Sequence, residues 1–371
     1  MTEIVYDDIG PFKIVDVYEP SVGLRGTPVV DNVARGPSIG GTRMAPDVST
    51  GECLRLARAM TLKNAAADLP HGGGKSVLYG DPAMPRQQKE QVVRAFACAL
   101  REVDQYIFGP DMGTDEECMG WVRDEIGRAV GLPREIGGIP LDEIGATGWG
   151  LLHAITVACE FQGRTLADCR IAVQGFGSVG KHAARFLAAQ GALIVAAADS
   201  RGMVYCGDGL DTDKLIELKD SGGSVVDYPA GPAVTIGERD DIIGVPCDIW
   251  IPAARPDVIR EDNIDRLQAS MVVPGANIAV TSGAEELLHE RGTLYIPDFI
   301  ANAGGVICAA MEYHGATEAA AMQTIEEKLR NNVQTVLEIS KRENCLPRDA
   351  AVGMAMDRVR KAMDLRRWSV F

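Results

Sequence analysis

The sequence predicts an α/β protein of two domains. Three observations carry that expectation. The 371 residues exceed one domain of ordinary size, roughly 100–200 residues. Residues 170–198 follow a strand–turn–helix–strand order, the mark of a parallel sheet. From about 317 to 366 the chain is helix-forming and carries no strand signal.

In chain order, residues 12–18 (FKIVDVY) and 27–33 (TPVVDNV) read as strands. Over 50–68, Leu54, Leu56, Ala57, Met60, Thr61 and Ala65 recur at mostly helical spacing, and Ser49 or Thr50 is placed to cap the start. This helix is expected to end at Leu69-Pro70, with the triple glycine Gly72–Gly74 turning the chain back into a short strand at 75–79. Residues 86–103 are helical again, and Tyr106-Ile107-Phe108 leads into the loop Gly109–Thr114. The Gly- and Pro-rich stretch 136–145 marks a domain junction, giving a first domain over 1–145. Beyond it come a helix (about 147–162), strand 170–174, a glycine-rich turn, a helix to Gln190 and strand 192–198. Further strands are expected at 249–251, 271–273 and 294–296.

Lys and Arg number 37 against 52 Asp and Glu, a formal charge of −15. Such a field repels polyanions, which argues against nucleic acid or an anionic membrane as partner. No stretch reaches the length of a membrane span, and the first residues lack a basic-then-apolar leader pattern. Nine cysteines are scattered with no C-x-x-C pair. Reduced thiols in a cytoplasm fit that usage, and no metal site is expected, since the histidines have no partners at ligand spacing. His71, Cys308 and Trp149 are read as packing residues.

Gly175-Phe176-Gly177-Ser178-Val179-Gly180 matches G-x-G-x-x-G, with an apolar strand before it and an amphipathic helix after. That context turns a weak pattern into a dinucleotide-binding expectation. The first glycine permits the tight turn, the second lets pyrophosphate approach the backbone, and the third allows close packing of helix on strand. Asp199, followed by Ser200, ends the next strand and is placed to accept hydrogen bonds from an adenosine ribose. A carboxylate there favours NAD, while Arg201 leaves NADP open.

In MTLKNAAADLPHGGGKS, Lys63 and Lys75 flank the glycine cluster, and Gly109-Pro110-Asp111-Met112-Gly113-Thr114 offers a carboxylate in a tight loop. Two cations converging on one small anion suit the oxidation of an amino acid. One lysine holds the α-carboxylate by charge-assisted bonds. A second, its proton affinity reduced by burial and a neighbouring cation, acts as general base, and the aspartate moves protons to and from nitrogen. The plainer alternative is two surface lysines and a turn aspartate.

At these residues the chain resembles the glutamate/leucine/phenylalanine/valine dehydrogenase family. The resemblance rests on GGTRM (40–44), MTLKNAAADLPHGGGKS (60–76), PDMGT (110–114), ATGWG (146–150), QGFGSVG (174–180), ADSRG (198–202), GAN (275–277) and IPDFIANAGGV (296–306), in the family's order. It implies that Lys63 binds the substrate carboxylate and that Lys75 and Asp111 form the catalytic pair. It also implies that Thr147 and Asn277 contact the nicotinamide end, and that Gly40, Gly41 and Asn302 line the substrate cleft. The implied fold is an N-terminal α/β substrate domain, a Rossmann-type dinucleotide domain over 146–334, and C-terminal helices (about 335–371) returning to the first domain. Homo-oligomers are implied as well.

Glutamate-specific relatives carry a lysine before the double glycine and a serine after NAGGV; here those positions hold Ile39 and Ala309. A side-chain carboxylate buried there lacks its partners. An apolar substrate (leucine, valine or phenylalanine) is therefore favoured, and glutamate is the alternative, with Arg134 as a substitute cation. DSRG and the IPDFIANAGGVICAAMEY segment look more like the glutamate branch. Two further readings compete: a 2-hydroxy-acid dehydrogenase, for which no histidine is suitably placed, and a non-catalytic dinucleotide sensor, which needs no lysine pair.

Overall fold

The structure is a computed structural model describing residues 6–365. The chain divides into two compact units. Among the described residues, the first comprises 6–141, Val306–Ala321 and 352–365; the second comprises Asp142–Gly305 and Met322–Ala351.

The first unit holds strands β1 (Lys13–Ile14), β2 (Val17–Glu19), β3 (Leu24–Asn32) and β4 (Ser38–Ala45), then helix α1 (Thr50–Ala66), β5 (Gly72–Tyr79), α2 (Arg86–Ala99), β6 (Tyr106–Pro110) and α3 (Glu116–Ile126). The sheet order is β1-β3-β5-β4-β6, with β2 also on β3. Strands β5, β4 and β6 run parallel, while β3 is antiparallel to β5. One face packs Leu24, Leu78, Phe96, Tyr106, Phe108 and Met119 among α2 and α3. The other packs Val29 and Val77 against Cys53 and Ala57 of α1. Ser49 caps α1 by accepting from the Glu52 amide, as its sequence position predicts.

Three expectations fail here. The segment 12–18 is two short strands rather than one, and β4 and α3 carried no recognised signal. The triple glycine is not a turn: Gly72, Gly73 and Gly74 lie inside buried β5. Their role is contact distance. A Cβ on Gly72 would stand 1.7 Å from the Asn32 carbonyl oxygen, and one on Gly73 would stand 1.9 Å from the Thr61 nitrogen of α1. The reversal occurs earlier, where Asp68 adopts a φ of 55°.

Helix α4 (Leu141–Ile144) spans the division between the units. The second unit continues with α5 (Ala146–Phe161), β7 (Arg170–Gln174), α6 (Ser178–Ala189), β8 (Leu193–Asp199), β9 (Gly202–Cys206), α7 (Thr212–Asp220), β10 (Val234–Gly237), β11 (Ile249–Pro252), β12 (Met271–Val272), α8 (Ser282–Glu290), β13 (Leu294–Tyr295) and α9 (Asp298–Ala301). Its sheet runs β10-β9-β8-β7-β11-β12-β13. The five strands from β8 to β13 are mutually parallel, the Rossmann-like arrangement expected of a βαβ unit. Antiparallel β9 and β10 extend one edge and were not foreseen. The helical tail is α10 (Gly304–Tyr313), α11 (Glu318–Glu343) and α12 (Pro347–Leu365); α11 stops where Asn344 takes a φ of 51°.

Candidate active site

Lys75 lies in the middle of β5, and Asp111 follows directly on β6. Lys75 Nζ and Asp111 Oδ2 are 2.6 Å apart, with both side chains largely withdrawn from solvent. Strand β4 runs between β5 and β6, so the pair reaches across it. Gly41 makes that possible: a Cβ there would stand 2.9 Å from Asp111 Cβ and 3.1 Å from Lys75 Nζ. Gly40, on the opposite face, packs on Gly74, and its carbonyl accepts from the Tyr106 hydroxyl at 3.0 Å.

Sequence reasoning gave Arg43 no role. Its Nε donates to Asp111 Oδ2 at 3.0 Å, and its Nη1 pairs with Glu52. Burial pushes the Asp111 carboxyl toward protonation, but the charges of Lys75 and Arg43 outweigh it and hold the group below its ordinary value. The signal was in GGTRM: strand alternation puts Ile39, Gly41 and Arg43 on one face, two residues apart. Ile39 is thus a buried apolar side chain on the face that carries Lys75 and Asp111.

Lys63 occupies the last turn of α1, half-buried. The next residue, Asn64, donates from Nδ2 to the Gly72 carbonyl at 2.7 Å, fixing the helix end on β5. Ala309 is half-buried on α10. Arg134 is exposed in a short 3-10 turn whose flanks are tied down by Glu312, which accepts from the Leu132 and Ile139 amides at 3.2 and 2.7 Å.

In the second unit the glycine loop behaves as its spacing predicts. Gly175 has a φ of 97°, which only glycine adopts without strain. A Cβ on Gly180 would sit 2.0 Å from the Gly175 oxygen, so helix and strand meet at contact distance. Around Gly177 there is nothing within 4 Å of a Cβ, leaving the backbone open to an approaching phosphate. Helix α6 starts at Ser178, three residues earlier than its apolar pattern indicated. The Ser178, Val179 and Gly180 amides therefore belong to a first turn that lacks intrahelical acceptors, a ready anion site. These residues fit a dinucleotide pyrophosphate.

Past the loop, a Cβ on Gly275 would lie 2.8 Å from Val179 Cγ1, which places the 275–277 segment against α6. Asn302 Nδ2 donates to Asn277 Oδ1 at 2.9 Å. Asp298 accepts from the Ile278 amide at 2.8 Å and is held in turn by Arg348 at 2.6 Å. Thr147 Oγ1 lies 3.2 Å from where a Cβ on Gly305 would stand. Thr147, Asn277 and Asn302 thus flank the Gly275 and Gly304–Gly305 segments of this unit.

A family model described as Glutamate/Leucine/Phenylalanine/Valine dehydrogenase matches residues 137–367, and one for that family's dimerisation domain matches 15–128. The chain belongs to this family of NAD(P)-dependent oxidoreductases acting on the CH–NH2 group of amino acids. A glutamate dehydrogenase of Aeropyrum pernix is 38% identical over 91% of this chain and 85% of its own length. The NADP-specific enzyme of Saccharolobus shibatae and NAD-specific glutamate dehydrogenase A of Halobacterium salinarum are each 34% identical over 90% of this chain, covering 83% and 80% of theirs. Among solved structures, the hetero-hexameric glutamate dehydrogenase from Thermus thermophilus, in its Leu-bound form, aligns with a TM-score of 0.83 at 28% identity, covering 97% of this chain and 91% of that one. L-tryptophan dehydrogenase from Nostoc punctiforme aligns at 0.76 and 25% identity, covering 96% and 97%. The names of these relatives weigh toward glutamate rather than the apolar substrate favoured from the sequence.

Proposed function

We propose that the chain catalyses reversible oxidative deamination of an L-amino acid with an apolar side chain, yielding the 2-oxo acid and ammonia. One observation carries the choice of substrate: Ile39, buried on the strand face shared with Lys75 and Asp111, stands where glutamate-specific relatives place a lysine. A Leu-sized side chain against such a surface gains about 1.5–3 kcal/mol from burial, whereas a carboxylate without a partner loses several.

Lys63 holds the substrate carboxylate, and in the second unit Thr147 and Asn277 contact the nicotinamide end of the dinucleotide. The bound dinucleotide supplies the hydride acceptor. Lys75 then takes a proton from the water that attacks the iminium carbon, and Asp111, in direct contact with Nζ, carries protons to the departing nitrogen. Arg43 keeps Asp111 ionised between turnovers. The active form is a homo-oligomer, a reading supported by the match of residues 15–128 to the family's dimerisation domain. We place it in the cytoplasm, in keeping with nine free thiols.

Glutamate is the second reading, favoured by the names of the relatives above. A panel of L-amino acids with NAD and NADP, followed by absorbance of the reduced nicotinamide, separates the two. Leucine, valine, phenylalanine or tryptophan should exceed glutamate in kcat/KM. Glutamate ahead of all of these reverses the substrate assignment, and no reduction with any amino acid leaves the sensor reading in its place.

A further inference from the structure

Residues 49–52 read Ser-Thr-Gly-Glu, the S-x-x-E spacing of a capping box at a helix start. In a full box the glutamate side chain reaches back to the serine amide. Here Ser49 Oγ accepts from the Glu52 amide at 3.1 Å, but the Glu52 carboxylate turns to Arg43, whose Nη1 donates to Oε1 at 2.5 Å. The start of α1 thus holds a side chain of β4 in place of its own backbone. The next residue, Cys53, is buried and donates its thiol to the Lys75 carbonyl at 3.3 Å. One turn of α1 therefore grips the site twice, at the Lys75 backbone and at the Arg43 head.

Arg43 stands between two carboxylates, Glu52 and Asp111, and Asp111 stands between two cations, Arg43 and Lys75. The row Lys75–Asp111–Arg43–Glu52 alternates in sign and is neutral as a whole; without Glu52 it carries a surplus positive charge. Arg43 reaches Asp111 through Nε at 3.0 Å and gives Glu52 the shorter bond. A guanidinium released from Glu52 can instead take both oxygens of Asp111, the fork geometry that arginine favours. The Met112 amide also supports the Asp111 carboxylate. Two further titratable groups face the row, Cys53 from α1 and Tyr106 from β6; burial pushes both up, so they stay neutral.

We propose that Glu52 is a positioning residue for the reaction: by sharing Arg43 with Asp111, it keeps that carboxylate directed at Lys75 and open to a proton. The proposal rests on the reading of Lys75 and Asp111 as the catalytic pair. While Asp111 carries a proton, Arg43 loses one anionic partner, and Glu52 holds the guanidinium in place until the carboxylate reforms against the same donors. At other times Glu52 dilutes the pull of Arg43 on Asp111. Removing its charge lowers the proton affinity of Asp111 and Lys75 alike, since both lose a nearby anion.

The test is the pH profile of kcat for the full chain, with NAD or NADP and the L-amino acid it oxidises fastest. Glu52→Gln should lower kcat about tenfold at neutral pH and move the acid limb about half a pH unit lower, with KM changed less than about twofold. Glu52→Asp, which keeps the charge, should restore the acid limb. In an Arg43→Ala background, Glu52→Gln should change kcat less than about twofold, because its effect travels through Arg43. An unaltered kcat and profile overturns the proposal. So does a loss of kcat with the acid limb unmoved, or a loss that adds in full to that of Arg43→Ala; either makes Glu52 merely structural. If Lys75→Ala and Asp111→Asn turn over like wild type, the catalytic pair itself falls and takes the positioning role with it.

Discussion

Asp111 and Asp199 occupy the same kind of place, at or just past the C-terminal end of a parallel strand, and each meets a lysine. Their donors differ. On Asp111 two side-chain cations, Lys75 and Arg43, converge on Oδ2. On Asp199 four donors spread over both oxygens, and two of them are backbone amides that cannot swing away. A carboxylate held mainly by side chains, as Asp111 is beside the Met112 amide, can exchange its partners during a reaction; one pinned by two main-chain amides belongs to the scaffold. Position at a strand end therefore marks a site of interest, and only the list of donors separates chemistry from structure.

The sharpest way to break this contrast is Lys75→Ala. Turnover should fall by about 10²–10⁴-fold, the usual scale for losing a general base. The dissociation constant for reduced cofactor, read by its fluorescence, should stay unchanged, because Lys75 and the glycine loop belong to separate units. A variant that keeps most of its turnover removes Lys75 from the mechanism. Next in size is Ile39→Lys, which places an ammonium on the same strand face. The ratio of kcat/KM for glutamate to that for leucine should rise about 10–100-fold. If the ratio stays put, Ile39 does not touch the substrate side chain.

How much of this was readable in advance follows from what each feature needs. The glycine loop, its strand and its helix are local, so spacing alone located Gly175, Gly177 and Gly180. Lys75 and Asp111 were legible as residues, but their 2.6 Å contact depends on β4 passing between them. That strand escaped notice because Gly40 and Gly41 interrupt its apolar pattern. The triple glycine was misread for a related reason. Glycine runs suggest turns, yet these glycines are in a strand because α1 presses on it at Gly73, while the Asn32 backbone at Gly72 and Tyr106 at Gly74 leave no room for a Cβ. The saturation of Asp199 needed Ser224 and Val225, more than twenty residues away in sequence, and no spacing rule reaches them.

Asp199→Asn tests the scaffold half of the contrast. Losing one acceptor site leaves Lys219 and the Val225 amide poorly matched, at a cost of about 1–3 kcal/mol in unfolding free energy. Turnover at saturating cofactor should stay close to wild type, opposite to Asp111→Asn, where turnover should fall and stability should change less.

The smallest effect is a pH dependence that both aspartates share. At Asp111, burial raises the pKa but is overcome by Lys75 and Arg43; at Asp199, burial is overcome by Lys219, the Arg201 amide and Ser224. Both carboxyls therefore sit below their unfolded values. A depressed carboxyl contributes stability that is fully present above the unfolded pKa, about 3.9 for aspartate. That contribution disappears as pH falls through the folded value. Urea unfolding from neutrality down to about pH 3 should show wild type losing stability more steeply on acidification than Asp199→Asn does. Asp111→Asn should flatten the curve less, because two side-chain donors, rather than the four donors on Asp199, favour its charged form. Parallel acid limbs in wild type and Asp199→Asn would mean that the four donors around Asp199 bind its protonated form as well as its charged one, and its scaffold role would lose its electrostatic basis.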